Sequence, residues 1–230
     1  MTFRDRSSAG RALAERLSSY RDRAPVVLAL PRGGVPVAYE IAKRLGAPLD
    51  LVLVRKIGAP GQPELAIGAV VDGASPEAVL NDEIVLLLNV PAAYIERETA
   101  RQIAEIERRR KIYLGGRAQV PLAGRTVLVV DDGIATGATT RAALHAIRRA
   151  GPARLVLAVP VAPPDTIEAL KADADDVVSL LTPSYFGAIS MFYDDFHQVD
   201  DGEVTELLDR RARELEAEAS ASPAEPGERR

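Results

Sequence analysis

Two adjacent acids, Asp131 and Asp132, follow an apolar run and precede a turn rich in glycine and threonine. The segment 127–140 reads VLVVDDGIATGATT, a pattern that predicts a buried strand, a tight turn and the start of a helix. The amides of such a turn point outward together and, with the helix dipole, attract an anion. The segment therefore predicts a phosphomonoester site, with hydroxyl donors from Thr136, Thr139 and Thr140.

The acid pair narrows the choice of ligand. Carboxylates beside a phosphate site need partners of their own, and sugar hydroxyls or hydrated Mg²⁺ suit them chemically. No Gly-Lys-Ser/Thr follows the turn, and the dinucleotide pattern Gly-x-Gly-x-x-Gly is absent from it. The residues indicate a phosphorylated ribose with Mg²⁺ as cofactor. Asp131 and Asp132 are the metal candidates, whether they bind the ion directly or through water.

Two further segments carry cations at the predicted ends of strands. Residues 28–36 read LALPRGGVP, in which Arg32 precedes two glycines, Gly33 and Gly34, that permit close backbone approach to a ligand. Residues 54–63 read VRKIGAPGQP, in which Arg55 and Lys56 enter a Gly/Pro loop long enough to move as a lid. Either segment alone is weak evidence, because Arg-Gly-Gly is usually a turn and cations at a strand end are often simply exposed.

Together these segments resemble the binding motifs of the type I phosphoribosyltransferase family, over about residues 8–200. The resemblance implies that Asp131 and Asp132 hold the ribose 2- and 3-hydroxyls and that the following turn holds the 5-phosphate. It also implies that the Arg32 loop holds pyrophosphate and that Arg55 and Lys56 neutralise it, within one chain or across a homodimer interface. The implied 5-phosphoribosyl-1-pyrophosphate (PRPP) site comprises Arg32, Gly33, Gly34, Arg55, Lys56, Asp131, Asp132, Ala135, Thr136, Gly137, Ala138, Thr139 and Thr140.

The resemblance implies a glycosyltransferase of nucleotide metabolism, a pentosyltransferase that moves ribose 5-phosphate from PRPP to a nitrogenous base. Such a reaction passes through an oxocarbenium-like sugar, which needs leaving-group neutralisation and negative potential near the ring. We expect Asp131, Asp132, Arg32 and Lys56 to be the catalytic residues. The alternative is a regulatory protein of the same fold that binds PRPP or nucleotides without turnover.

Aromatic residues concentrate in a segment that we call the hood, residues 183–200. Of the six tyrosines and four phenylalanines in the chain, five lie between residues 185 and 196. Planar acceptors stack well on aromatic faces, so Phe186, Phe192 and Tyr193 are acceptor candidates. A small satellite core that closes the sheet is an equally good interpretation. No motif in the hood identifies the base.

Short β-branched runs alternate with helix-like segments along the chain. Several runs are apolar at consecutive positions, which is typical of parallel strands covered on both faces. The alternation predicts an α/β, doubly wound, mainly parallel sheet with helices on both faces. The predicted strands are 26–30, 50–54, 126–130, 155–159 and 177–181, and the predicted helices are 35–45, 91–113, 138–150 and 164–172.

The chain of 230 residues suits one domain, predicted over 1–218 with an insertion at 57–125 and a disordered tail at 219–230. Within the insertion, the helix 91–113 is expected either to pack on the sheet or to form a dimer contact. The net charge of −4 and the lack of a basic motif argue against nucleic acid as a partner. The absence of cysteine excludes disulfides and thiolate chemistry. Without a signal peptide or an apolar span, a cytoplasmic protein with no membrane partner is expected.

Overall fold

The computed structural model describes residues 2–72 and 76–221, with only the backbone of residues 64, 77 and 221. It contains eight strands and seven α-helices in these residues. The strands are β1 Val26–Ala29, β2 Leu49–Leu51, β3 Val54–Ala59, β4 Gln62–Val71, β5 Glu77–Leu80, β6 Thr126–Val130, β7 Arg154–Val161 and β8 Asp176–Leu181. The helices are α1 Arg6–Arg16, α2 Gly34–Leu45, α3 Asp82–Leu87, α4 Ala92–Leu114, α5 Ala138–Arg149, α6 Pro164–Leu170 and α7 Asp201–Ala221.

The central sheet has five strands in the order β2-β1-β6-β7-β8, and every neighbouring pair is parallel. Consecutive residues of its strands enter different hydrophobic clusters: Leu128 and Val130 face α1, α2 and α7, whereas Val127 and Val129 face α5 and α6. Burial on both faces explains why β1, β6 and β7 are apolar at most consecutive positions. The predicted doubly wound α/β fold is confirmed.

The second predicted strand and the loop after it are corrected by the structure. Strand β2 ends at Leu51, and a separate strand, β3, begins at Val54. The predicted Gly/Pro loop 57–63 is a hairpin in which β3 and β4 pair antiparallel, and β5 completes a second, three-stranded sheet. The turn uses Pro60 and Gly61, with Gly61 at φ 72°. Proline and glycine therefore mark a tight turn rather than a long lid loop.

We call residues 54–114, with β3, β4, β5, α3 and α4, the arm. Helix α4 has Pro91 as its N-cap and ends at Gly115, which is left-handed with φ 55°, close to the predicted bounds. Its side chains at Ile106 and Tyr113 are buried in the main core, which supports the packed interpretation of this helix. Within the described residues, no helix combines the length and the apolar character needed to cross a membrane.

The C-terminal prediction is partly wrong. Helix α7 runs to Ala221, so residues 219–221 of the predicted disordered tail are helical; residues 222–230 lie outside the described part of the chain. Upstream of these residues Arg211 is fully buried and donates to the carbonyl of Ala47 at 3.0 Å and to Glu218, one residue before the predicted tail, at 2.8 Å. These contacts hold α7 up to Glu218, and residues 219–221 continue the helix.

Candidate functional site

The site lies where the order of the central sheet reverses direction. The chain leaves β1 toward β2 on one side, while β6 lies against β1 on the other, and ligands of doubly wound sheets bind at such a switch point. The Leu30 amide donates to the Val130 carbonyl at 2.9 Å, which joins the ends of β1 and β6. The loops that follow these strands therefore face each other, and we call residues 30–34 and 131–139 the donor crevice.

The two glycines after Arg32 allow these loops to touch. A Cβ atom on Gly33 would lie 2.0 Å from Oδ2 of Asp132, and one on Gly34 would lie 2.7 Å from the Val130 carbonyl oxygen. Real Cβ atoms essentially never approach so closely, so a side chain at Gly33 would displace the Asp132 carboxylate and one at Gly34 would push the loops apart. The sequence predicted that the glycines make room for a ligand; the structure shows that Gly33 makes room for Asp132 and Gly34 for the backbone of Val130 and Asp131.

The acid pair is enclosed by this packing. Asp132 is 7% exposed, and its backbone amide donates to Oδ1 of Asp131 at 2.9 Å. Burial, followed by the charge of Asp132, raises the pKa of the Asp131 carboxyl well above its usual range. Burial also raises the pKa of Asp132, although the Arg6 guanidinium acts in the opposite direction. The crevice thus holds two carboxyls that are costly to ionise without a hydrogen-bonding or cationic partner.

Arg6 supplies such a partner, and sequence reasoning missed it. Its Nε donates to Oδ2 of Asp132 at 2.7 Å, and its side chain is only 7% exposed. The same guanidinium donates to the His197 carbonyl at 2.7 Å and lies 3.8 Å from the centre of the Phe196 ring. The sequence does signal the start of α1, because Asp5 and Ser8 form a capping box, but it has no local signal for a contact across 126 residues.

The turn after the acid pair is anchored from two sides. The Ile134 amide donates to the Val161 carbonyl at 3.0 Å, and the Thr166 hydroxyl donates to the Ala135 carbonyl at 2.8 Å. Gly137 is the N-cap of α5 with φ 77°, a left-handed conformation that suits glycine. This geometry fixes the first amides of α5 at the edge of the crevice.

The predicted phosphate residues differ in their access to that edge. Ala135, Thr136, Ala138 and Thr139 are exposed, and Gly137 is buried between them. Thr140 is 2% exposed, so its hydroxyl does not reach the open rim of the turn. The arrangement can offer amides and two exposed hydroxyls to an anion.

Arg32 lies at the other side of the crevice, after a cis peptide bond from Pro31. Its guanidinium is 3.7 Å from the carboxylate of Asp201, the first residue of α7. Asp201 also accepts a hydrogen bond of 2.7 Å from the hydroxyl of Tyr113. This acidic neighbour was not foreseen, since α7 was not predicted as an element.

Arg55 and Lys56 lie on β3, within the arm. Arg55 is half-buried and donates to Gln102 of α4 at 3.2 Å, while Lys56 is exposed. Both line a cavity of about 250 Å³ between the hairpin and α4. Strands β3 and β4 pack on α5, so the arm adjoins the helix that begins at the donor crevice.

The hood has the character of a satellite core. Phe186 and Phe192 stack on each other with ring centroids 5.4 Å apart. Tyr193 is 6% exposed, packs against Phe3 and Phe196, and donates its hydroxyl to the Asp132 carbonyl at 2.5 Å. Burial raises the pKa of that hydroxyl, which therefore remains a donor. The ring of Tyr193 is thus covered by its neighbours, and acceptor binding by the hood stays a prediction.

The carboxyls of Asp131 and Asp132 are the oxygen ligands that the crevice offers to a magnesium ion. Within residues 2–72 and 76–221 there is no group of three or more histidine, cysteine, aspartate or glutamate side chains suited to a metal. Mg²⁺ commonly uses one or two carboxylates and takes its other ligands from water and substrate phosphates. Asp131 and Asp132 fit that pattern as a partial set, which substrate oxygens would complete.

Comparison with known proteins identifies the class. The profile of the phosphoribosyl transferase domain matches residues 6–197, so the chain belongs to this family. The resemblance to type I phosphoribosyltransferases seen in the motifs is confirmed.

Individual relatives extend the similarity to most of the chain. The chain is 48% identical over 219 residues, 95% of its length, to two Mycobacterium tuberculosis proteins, "Putative phosphoribosyl transferase MT0597" (strain CDC 1551 / Oshkosh) and "Putative phosphoribosyl transferase Rv0571c" (strain ATCC 25618 / H37Rv). These matches cover 49% of each relative, so the chain spans about half the length of these proteins. The crystal structure of TT1426 from Thermus thermophilus is also similar, with a TM-score of 0.78, 49% identity and coverage of 90% of this chain and 98% of that one.

Proposed function

We propose that the chain uses PRPP, with Mg²⁺, to transfer ribose 5-phosphate to a nitrogenous base and to release pyrophosphate. The observation that carries the proposal is the meeting of three groups in one crevice: the acid pair, the α5 turn and the Arg32 loop. A ligand with a phosphate, vicinal hydroxyls and a second anionic group would match all three. Membership of the phosphoribosyl transferase domain family supports the same chemistry.

Different residues of the crevice and the arm would bind different parts of PRPP. The amides of the turn at Ala135–Thr139 would hold the 5-phosphate at the positive end of α5. Asp131 and Asp132 would accept hydrogen bonds from the ribose hydroxyls. Arg32, which now faces Asp201, would turn to the pyrophosphate, and Arg55 and Lys56 of the arm would add positive charge to it.

The reaction exchanges one bond at the anomeric carbon. The C1–O bond to pyrophosphate breaks, and pyrophosphate leaves with the bonding electron pair. A ring nitrogen of the base forms the C1–N bond and then loses its proton to water. Fixed carboxylates near the sugar favour the positive charge that develops on it, and cations favour the departing pyrophosphate. Bound Mg²⁺ would supply further neutralisation of the pyrophosphate oxygens, held by Asp131 and Asp132.

Calorimetric titration with PRPP and Mg²⁺ tests the donor site. We expect saturable binding to the unmodified protein and a loss of affinity of about 10-fold or more for Asp132→Asn, because a buried carboxylate acceptor is replaced. Asp173→Asn is the matched control, since Asp173 is also ion-paired, with Arg141 at 3.1 Å, but lies outside the crevice. Unmodified affinity in Asp132→Asn would refute the assigned role.

A pyrophosphate-release assay over a panel of bases then tests turnover. Release that depends on one class of base would identify the acceptor. Binding of PRPP without release from any base would instead favour the alternative, a regulatory protein that binds PRPP or nucleotides.

A further inference from the structure

Arg6 is the cation that joins the donor crevice to the hood. We propose that it is a positioning residue for the donor site: it fixes the Asp132 carboxylate for the ribose and transmits donor binding to the hood. This inference rests on the proposed function. Its basis is that one guanidinium contacts Asp132, the His197 carbonyl and the Phe196 ring.

The ion pair of Arg6 and Asp132 is buried, unlike the ion pairs at the surface. The side chains of Arg6 and Asp132 are 7% and 11% exposed, whereas those of Arg11, on the same helix, and its partner Glu40 are 58% and 18% exposed. Taking two charges out of water costs about as much as their attraction returns, so a buried pair is an inefficient way to stabilise a fold. Its place beside the α5 turn points to a use in binding rather than in folding.

The contact between Arg6 and Asp132 would assist binding by holding the carboxylate in one orientation. The Nε donor of Arg6 binds Oδ2 of Asp132, which restrains the rotation of the carboxylate and would leave its other oxygen, Oδ1, to accept from a ligand hydroxyl. Restraining a carboxylate before the ligand arrives lowers the entropy lost on binding. The planar guanidinium is itself held by stacking on Phe196, an arrangement that a lysine ammonium cannot reproduce.

The same contacts make the hood sensitive to the ligand. Nη1 of Arg6 donates to the His197 carbonyl, and Tyr193 donates to the Asp132 carbonyl, so residues 193–197 hold Asp132 through two independent connections. A hydroxyl bound to Asp132 would restrain Arg6, and Arg6 would restrain the backbone of His197. We therefore expect PRPP to order the hood, the segment nearest to the proposed acceptor position.

Binding measurements on four proteins test the positioning role. They are the unmodified chain, Arg6→Gln, Asp132→Asn and the double variant, each titrated with PRPP and Mg²⁺. We expect Arg6→Gln to lose about 10-fold or more in affinity, and to have no further effect when Asp132 is already asparagine. Arg11→Gln, on the exposed face of α1, is the control and should bind normally.

Hydrogen exchange on Arg6→Lys tests the connection to the hood. Lysine keeps the charge beside Asp132 but loses the stacked, forked geometry, so we expect a loss of PRPP affinity that is smaller than that of Arg6→Gln. We also expect PRPP to slow amide exchange at residues 193–199 in the unmodified chain but not in Arg6→Lys. This variant keeps the proposal testable if Arg6→Gln does not fold.

The outcomes separate the two claims. If the unmodified chain does not bind PRPP, the proposed function fails. If it binds PRPP and Arg6→Gln binds equally well, or weakens binding by the same factor with and without Asp132, only the role of Arg6 is overturned. Equal protection of the hood in Arg6→Lys and the unmodified chain would overturn the connection to the hood.

Discussion

In the donor crevice the polar groups are buried and joined to each other across the fold, whereas on α4 of the arm several partly exposed ion pairs join residues three or four positions apart. Asp132 contacts residues from three distant segments, through Arg6, Gly33 and Tyr193. On α4 of the arm, Glu105 pairs with Arg108 and Arg109, three and four residues away. The contacts of Asp132 therefore depend on the whole fold, whereas the ion pairs of Glu105 depend on helical spacing within α4.

Acids in the two regions also have pKa values that are shifted in opposite directions. Burial raises the pKa of Asp131 in the crevice, while hydrogen bonds from Arg108 and then Arg109 lower the pKa of Glu105 to about 2. A raised pKa indicates an acid that lacks full compensation, and such acids are candidates for ligand contact. A lowered pKa indicates an acid already satisfied by its neighbours. The acids of the crevice are therefore candidates for ligand contact, whereas Glu105 of α4 is already satisfied by Arg108 and Arg109.

The largest expected difference between the regions comes from adding one methyl group. Gly33→Ala places a Cβ 2.0 Å from Asp132 Oδ2, so the Asp132 carboxylate, which Arg6 holds, must be displaced. A displacement of about 1 Å at a site can cost about 100-fold, and we expect a loss of that order in PRPP affinity by calorimetry.

Gly61→Ala is the counterpart in the arm. Gly61 has φ 72° with open space around its Cβ position, so alanine strains only the turn. We expect a cost of about 1–2 kcal/mol in the free energy of unfolding and unchanged PRPP affinity. Normal PRPP binding by Gly33→Ala would show that the site tolerates a displaced Asp132 carboxylate. The two glycine substitutions would then have the same effect on PRPP affinity, against our expectation.

A smaller effect should separate two tyrosines that make the same kind of hydrogen bond. Tyr193 donates to the buried Asp132 carbonyl, and Tyr94 of the arm is half-buried and donates to the Gly58 carbonyl at 2.9 Å. Tyr193→Phe leaves an acceptor without water, so we expect a loss of about 1–3 kcal/mol in the free energy of unfolding. Tyr94→Phe should cost about 0.5–1 kcal/mol, because water can take the place of its hydroxyl. Equal costs in denaturant unfolding would contradict the comparison.

The smallest effect concerns pH and α4. The pKa of Glu105 in the folded chain is about 2, below the usual 4.5, so its contribution to stability is complete above pH 4.5 and disappears as the pH falls toward 2. Because the pair is partly exposed, the contribution is at most about 1 kcal/mol. Thermal melts of the unmodified chain and Glu105→Gln should differ slightly at pH 6 and converge near pH 2. If the difference in melting temperature grew as the pH fell, ionised Glu105 would not stabilise the folded chain as expected.

The donor motif was predictable because its signals are local. The apolar run before Asp131, the glycine-threonine turn and the start of α5 follow one another in sequence, and β6 and α5 begin where they were expected. The position of Gly33 against Asp132 was not predicted, because it requires both loops to leave neighbouring strands. Parallel pairing of β1 and β6 supplies that condition.

The remaining contacts depend on tertiary structure. Nothing in the sequence around Arg6 or Arg32 indicates Asp132 or Asp201, because these contacts join segments that only the fold brings together. The hairpin of the arm was misread because proline and glycine are common both in loops and in tight turns. The sequence allowed two interpretations of the hood, an acceptor site or a satellite core. Tyr193 packs as part of a satellite core because Phe3, which is remote in sequence, covers its ring.

The bridge between Phe3 and Tyr193 has a consequence for the order of synthesis. Residues 3–6 contact Asp132 and residues 192–197, so this early segment of the chain finds its place only after residue 197 has emerged from the ribosome. Until then, the nascent chain already contains both Arg6 and Asp132, but it lacks the His197 carbonyl and the Phe196 ring that hold the guanidinium. An interrupted translation product that ends before the hood would therefore carry the acid pair and Arg6 without the contacts that fix Arg6 beside Asp132.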